Sequence, residues 1–163
     1  MFQKLAYSLL CIVLVVALLS FQPGGSNVMI DVDEELLQQA EDAGLLNAEI
    51  PVGADSKVFN GVMVDGTLVG EVYFSLNGVN WVYRCGIPGT DGITDLSGLD
   101  SVGIEQETDL QGCPATICCN DDGTGKIFWE DPDTGAAYSL TMSTQADADV
   151  LYSIANLMYA PIE

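Results

Sequence analysis

The sequence predicts an α+β domain: a curved antiparallel sheet, built as a hairpin meander, with an N-terminal and a C-terminal helix packed on its apolar face. Three observations predict it. The stretch VFNGVMVDGTLVGEVYFSLNGVNWVYRCG holds three apolar runs split by Asp65-Gly66 and Asn77-Gly78. Further runs with strand character follow in CPATICC, GKIFWED and AAYSLTMS. Segments towards both ends carry helical rather than alternating periodicity.

Ahead of the domain, Lys4 precedes an apolar run from Leu5 to Phe21, and a Pro-Gly-Gly-Ser break follows. A positive start, an apolar middle and small residues at the end make the layout of an export signal. The run is short for a membrane span, which wants about 20 apolar residues. Residues 1–26 are therefore expected to be an export signal cleaved after Ser26, or an N-terminal anchor if uncleaved. Cys11 falls inside the apolar run, too early for a lipid-attachment cysteine. The product would be secreted or membrane-anchored, on the extracytoplasmic side, touching a membrane only through residues 1–26. Residues 27–163 are one domain's worth of chain.

In DVDEELLQQAEDAG, Asp31 or Asp33 can cap a helix, acids fill its first turn and Gly44 stops it. Leu36, Leu37, Ala40 and Ala43 make its apolar stripe. Asp-Gly and Asn-Gly are the strongest two-residue hairpin signals, because a type I′ turn needs positive φ at both central positions. A two-residue turn also sets register. Asn77-Gly78 places Leu76 opposite Val79, Phe74 opposite Trp81, Val72 opposite Tyr83 and Gly70 opposite Cys85, an apolar set. The other face pairs Ser75 with Asn80, Tyr73 with Val82 and Glu71 with Arg84. Asp65-Gly66 likewise sets Met63 against Leu68 and Gly61 against Gly70. The glycine-rich run from Ile87 to Gly103 reads as a crossing loop. Strands are expected within Ser101–Leu110, over Cys113–Cys119, and on either side of the turn Asp131 to Gly135. Thr144 and Asp147 resemble a capping box for a last helix whose face would be Val150, Leu151, Ile154, Leu157 and Met158, with Pro161 just past its end.

The chain carries 24 acidic and 4 basic residues, a net charge of −20 and no histidine. Such an acidic surface repels nucleic-acid phosphates and anionic headgroups, so no nucleic-acid partner is expected. The missing imidazole removes Ser-His and Cys-His nucleophilic pairs and His-ligated zinc.

Cys85, Cys113, Cys118 and Cys119 are the cysteines of the domain. A strand over CPATICC separates the α-carbons of Cys113 and Cys118 by about 16 Å, too far for a disulfide. Adjacent cysteines lie closer than a disulfide allows. A strand is thus incompatible with a fully paired set. The preferred reading is an ordinary strand with mostly free thiols, Ala115, Ile117 and Cys119 facing the core and Cys118 facing outward. A single disulfide from Cys85 to this cluster, or a metal, are the alternatives. Asp131 and Asp133, with Gly135, offer a weak calcium alternative, but without the distal glutamate of an EF-hand they serve equally well as turn residues. No other cofactor is expected.

Trp81 and Trp129 are expected in the core. Tyr73 is the aromatic that the register turns outward, and so the candidate ligand contact. Glu71 and Arg84 are expected to form a cross-strand pair on the face away from Trp81, with the Arg84 guanidinium also tying down an adjacent loop or strand end. Carboxylate pairs could hydrolyse glycosides, but no spacing singles out two. Nucleophile-elbow, P-loop and Rossmann fingerprints are absent from the sequence.

Phe74, Asn77, Gly78, Tyr83 and Arg84, then Leu96, Ser97 and Gly98, then Trp129, Tyr138, Ser139 and Leu140 stand in an order that resembles an uncharacterised secreted domain family of Gram-positive anaerobes. That family is itself similar to the extracytoplasmic parts of anti-sigma-type membrane proteins. The resemblance covers roughly residues 27 to 160 and implies an exported domain, with no catalytic residues to carry over. Cys85 and the clustered cysteines depart from the pattern. The expected function is a non-enzymatic domain that binds or senses at the cell surface, with an extracellular or surface partner of unknown kind. A small glycan-binding or carboxylate-based hydrolytic protein is the alternative.

Overall fold

In the computed structural model, which describes residues 16–19, 28–89, 92 and 94–162, both hairpin dipeptides turn with positive φ: Asp65 at 46° and Gly66 at 81°, Asn77 at 54° and Gly78 at 78°. They join β3 (Asp55–Val64), β4 (Thr67–Leu76) and β5 (Val79–Gly86). The register is the one that two-residue turns impose. Glu71 lies opposite Arg84, Tyr73 opposite Val82, Phe74 opposite Trp81, and Gly61 opposite Gly70.

A second meander follows: β6 (Ile104–Leu110), β7 (Cys113–Cys119), β8 (Gly125–Glu130) and β9 (Ala137–Met142). Its last strand returns beside β5. The seven strands form one open antiparallel sheet in the order β3-β4-β5-β9-β8-β7-β6, with β3 and β6 as its edges. The run from β5 to β6 must therefore pass β9, β8 and β7. A separate ribbon pairs β1 (Val16–Leu19) with β2 (Val28–Asp31). The rest of the expected export segment, with Cys11, lies outside the described residues.

One sheet face is the core. Phe74, Trp81, Tyr83, Ile127, Trp129, Tyr138 and Leu140 are buried there against residues of both helices and their flanks. Phe74 stacks on Trp81 with ring centroids 6.1 Å apart, and Trp129 stacks on Tyr138 at 5.3 Å. Tyr159 meets both Trp129 and Tyr138 edge-on.

Helix α1 (Glu34–Asp42) starts at Asp33, whose carboxylate accepts from the backbone N–H of Glu35 and of Leu36. It lies over the facing glycines Gly61 and Gly70. A Cβ at Gly61 would collide with the α1 backbone at Leu36, and one at Gly70 with the backbone at Leu45. Two glycines side by side thus let the helix and its exit turn approach the sheet directly. Of the expected α1 stripe only Ala40 is buried; Leu36 and Leu37 are half-buried and Ala43 is exposed. The helix stops at Asp42, and Leu45, beyond it, takes the core position.

Helix α2 (Ala148–Met158) is capped by Asp147, which accepts from Asp149 and Val150; Thr144 takes no part in the cap. Its buried stripe is Leu151, Ala155 and Met158, while Val150 and Leu157 are exposed. The i, i+4, i+7 line is centred on the small Ala155, so the larger flanking residues point past the sheet.

Candidate binding face beneath the crossing loop

The opposite face of the sheet is covered by irregular chain. Glu71, on β4, is 3% exposed. Its carboxylate accepts from Arg84 Nε at 2.6 Å, from the Tyr73 hydroxyl at 2.9 Å and from Asn60 Nδ2 at 3.2 Å. The expected cross-strand pair is formed, and it is buried. Arg84 also donates through Nη1 to the carbonyl oxygens of Leu96, at 3.1 Å, and Ser97. A guanidinium offers several donors in a fixed fork, which suits one carboxylate and two carbonyls together.

A second cation repeats the arrangement. Lys126 on β8 is 1% exposed, and its ammonium donates to Asp95 Oδ2 at 2.6 Å and to the Leu99 carbonyl at 2.5 Å. Asn120 completes the set: its amide accepts from Val102 N and donates to Asp100 O. The crossing loop is thus fastened at Leu96–Ser97, at Leu99 and at Asp100–Val102. Sequence reasoning missed Lys126, Asp95 and Asn120. The available signal was a lone lysine between Gly125 and Ile127, inside an apolar strand of a chain with 4 basic residues.

Tyr73 is half-buried rather than open, because it packs against Val32, just ahead of α1, in a cluster with Leu37 and Val58. Burial, then the neighbouring Glu71 charge, pushes its phenol up to about 12. Beside it lies a slot of about 230 Å³. Tyr73, Val82, Asn80 and Thr141 line it from the sheet, Leu99 from the crossing loop and Thr124 from the β7–β8 turn. A larger hollow of about 540 Å³ lies at Phe128 between Glu107 and Glu130. A groove of about 640 Å³ runs between α1 and β3, lined by Glu34, Glu41 and Lys57 among others.

Cys118 faces away from the core as expected but is fully buried, with its thiol on Asn120 Oδ1 at 3.2 Å. The loop covers the face to which it points. Cys85, Cys113, Cys118 and Cys119 are free thiols, and CPATICC is β7. Burial pushes the Cys85 thiol up to about 12 and raises Cys113 and Cys119 as well. A thiol held protonated by burial is a poor nucleophile.

Trp81 and Trp129 are buried in the core, and Trp81, stacked on Phe74, also lines the slot beside Tyr73. Asp131 is buried and closes its own turn: its carboxylate accepts from Asp133 N at 2.9 Å, and its carbonyl accepts from Gly135 N. Burial alone would raise the Asp131 carboxyl. Hydrogen bonds from Asp133 and Thr134 outweigh it and lower the pKa. Among the described residues no group of three or more His, Cys, Asp or Glu could hold a metal ion, and no helix is long and apolar enough to cross a membrane. No family model, curated protein or solved structure matches this chain.

Proposed function

We propose that this chain is an exported, non-enzymatic binding domain, secreted or held at the outer face of the membrane, and that its binding site is the slot beside Tyr73. The observation that carries the reading is the fastening of the loop that bounds the slot. Arg84 and Lys126, two of the chain's 4 basic residues, hold the crossing loop by its carbonyl oxygens. A wall fixed before binding lowers the ordering cost of association. The absence of histidine from the sequence and the burial-raised thiols argue against nucleophilic chemistry.

Membership of the secreted family that the sequence resembles is part of the same reading. Its Tyr-Arg and Leu-Ser-Gly motifs, 12 residues apart at Arg84 and Leu96, meet through the Arg84 guanidinium. A sheet curved round its helices belongs to it too, and the close approach of α1 at Gly61 and Gly70 supports that. The second reading, glycan binding or carboxylate-based hydrolysis, has one observation in its favour: the Phe128 hollow, with Glu107 and Glu130 in its lining.

The test is an amide-resolved NMR titration of the full chain with a small-molecule extract of the native envelope and medium. Perturbation centred on Tyr73, Val82, Leu99 and Thr141 is expected. Perturbation confined to Thr116, Phe128 and Glu130 would transfer the site to the other hollow and overturn the reading.

A further inference from the structure

We propose that the slot beside Tyr73 takes a small neutral ligand with one flat apolar ring and one hydrogen-bonding group. The inference rests on the reading above and names the ligand class. In a chain with 24 acidic residues, none lines this slot, whereas the Phe128 hollow carries Glu107 and Glu130 and the α1 groove Glu34 and Glu41. Of the ions around it, Glu71 is matched with Arg84 at 2.6 Å and Asp95 with Lys126 at 2.6 Å, and Asp122, which accepts from the Thr124 hydroxyl, is exposed to water. A charged ligand would leave water there without a partner, which is costly.

Size and polarity narrow the class. A dry cavity of about 150 Å³ holds benzene. The slot's roughly 230 Å³ holds one six-membered ring with a short substituent. The Tyr73 hydroxyl donates to Glu71 at 2.9 Å, which fixes the ring at the slot and commits its polar end elsewhere. The hydroxyl of Thr141 donates to the Val82 carbonyl, and that of Thr124 to Asp122. The Asn80 carboxamide and, beside it, the Ser143 hydroxyl, which accepts from Asn80 N at 3.2 Å, are left to meet a ligand among the described residues. A ring with one polar group matches that inventory; a sugar, with a hydroxyl on nearly every carbon, does not.

The experiment titrates the isotope-labelled full chain with benzyl alcohol, benzoate, benzylammonium and N-acetylglucosamine. The readout is the amides of Tyr73, Val82, Leu99 and Thr141. Benzyl alcohol is expected to shift them with a Kd of about 1 mM, as befits a fragment of its size. Benzoate and benzylammonium should bind there at least about tenfold more weakly, and the sugar should leave these amides unmoved. Tyr73→Phe keeps the ring and should stay within about twofold of wild type, because the ring supplies the contact. Val82→Phe fills the slot and should weaken binding by more than about tenfold, with the core Trp129 indole signal unchanged as proof of folding. Benzoate or the sugar shifting these amides as strongly as benzyl alcohol would overturn the neutral-ring class and leave the site standing. Silence of these amides to every probe, with the envelope extract acting elsewhere, would overturn both.

Discussion

On one face of the sheet Phe74 stacks on Trp81 and Trp129 on Tyr138 beneath two helices. On the other, Arg84 and Lys126 hold a length of irregular chain by its carbonyl oxygens. The first face gains stability from apolar area removed from water, with no demand on direction. The second buries charge, and that is stable only while every partner stays in place. Apolar packing tolerates a shifted neighbour; a guanidinium shared between Glu71 and two carbonyls does not. The loop-covered face should therefore be the more brittle of the two, although it holds fewer large side chains. It is also the face on which the slot lies.

The strongest challenge to that contrast is removal of Glu71. Glu71→Ala leaves Arg84, Asn60 and Tyr73 without their acceptor and should cost about 3–5 kcal/mol in urea unfolding. Exchange of the Leu96–Leu99 amides should accelerate more than that of β8. Reversing the pair, Glu71→Arg with Arg84→Glu, should recover no more than about 1 kcal/mol. A carboxylate at position 84 cannot donate to Leu96 O and Ser97 O. Full recovery would reduce Arg84 to a simple cross-strand partner and remove the contrast.

A smaller effect is expected at Lys126. Lys126→Met keeps the buried stem and removes the ammonium, and should cost about 2 kcal/mol. The loss is less than at Glu71 because Asp95, with its side chain 31% exposed, can turn to water. A cost as large as that of Glu71→Ala would make the two fastenings one cooperative unit.

The mildest test is pH. The folded protein raises the Tyr73 phenol from 10.0 to about 12 and the Cys85 thiol from 9.0 to about 12. Each group is favoured in its neutral form by folding. Their contribution is complete below the unfolded pKa and is lost as pH rises through the folded one. The urea midpoint should fall progressively from pH 9 towards pH 12. Tyr73→Phe should flatten that fall if the loop-covered face yields to alkali, and Cys85→Ala if the core does. A midpoint unchanged up to pH 11 in the parent chain would show that neither face resists ionisation.

The sequence by itself determined the hairpins and everything that follows from them locally. Asp65-Gly66 and Asn77-Gly78 admit positive φ, a two-residue turn allows one register, and that register sets Glu71 opposite Arg84 and Gly61 opposite Gly70. The α1 cap at Asp33 and the strand at Cys113–Cys119 were legible for the same reason, since capping and side-chain alternation act between near neighbours. Only the tertiary structure decided the rest. It placed β9 beside β5, sent the crossing loop over the far face, and so buried Glu71, Lys126 and Cys118, which alternation alone turns outward. It chose the Leu151, Ala155 and Met158 line of α2 over the bulkier Val150 and Leu157. It also made the slot at Tyr73, whose walls come from β4, β5, β9, the loop at Leu99 and the turn at Thr124. Periodicity says which residues share a face. Which face meets water depends on what a distant segment covers, and that depends on the burial available to the whole chain.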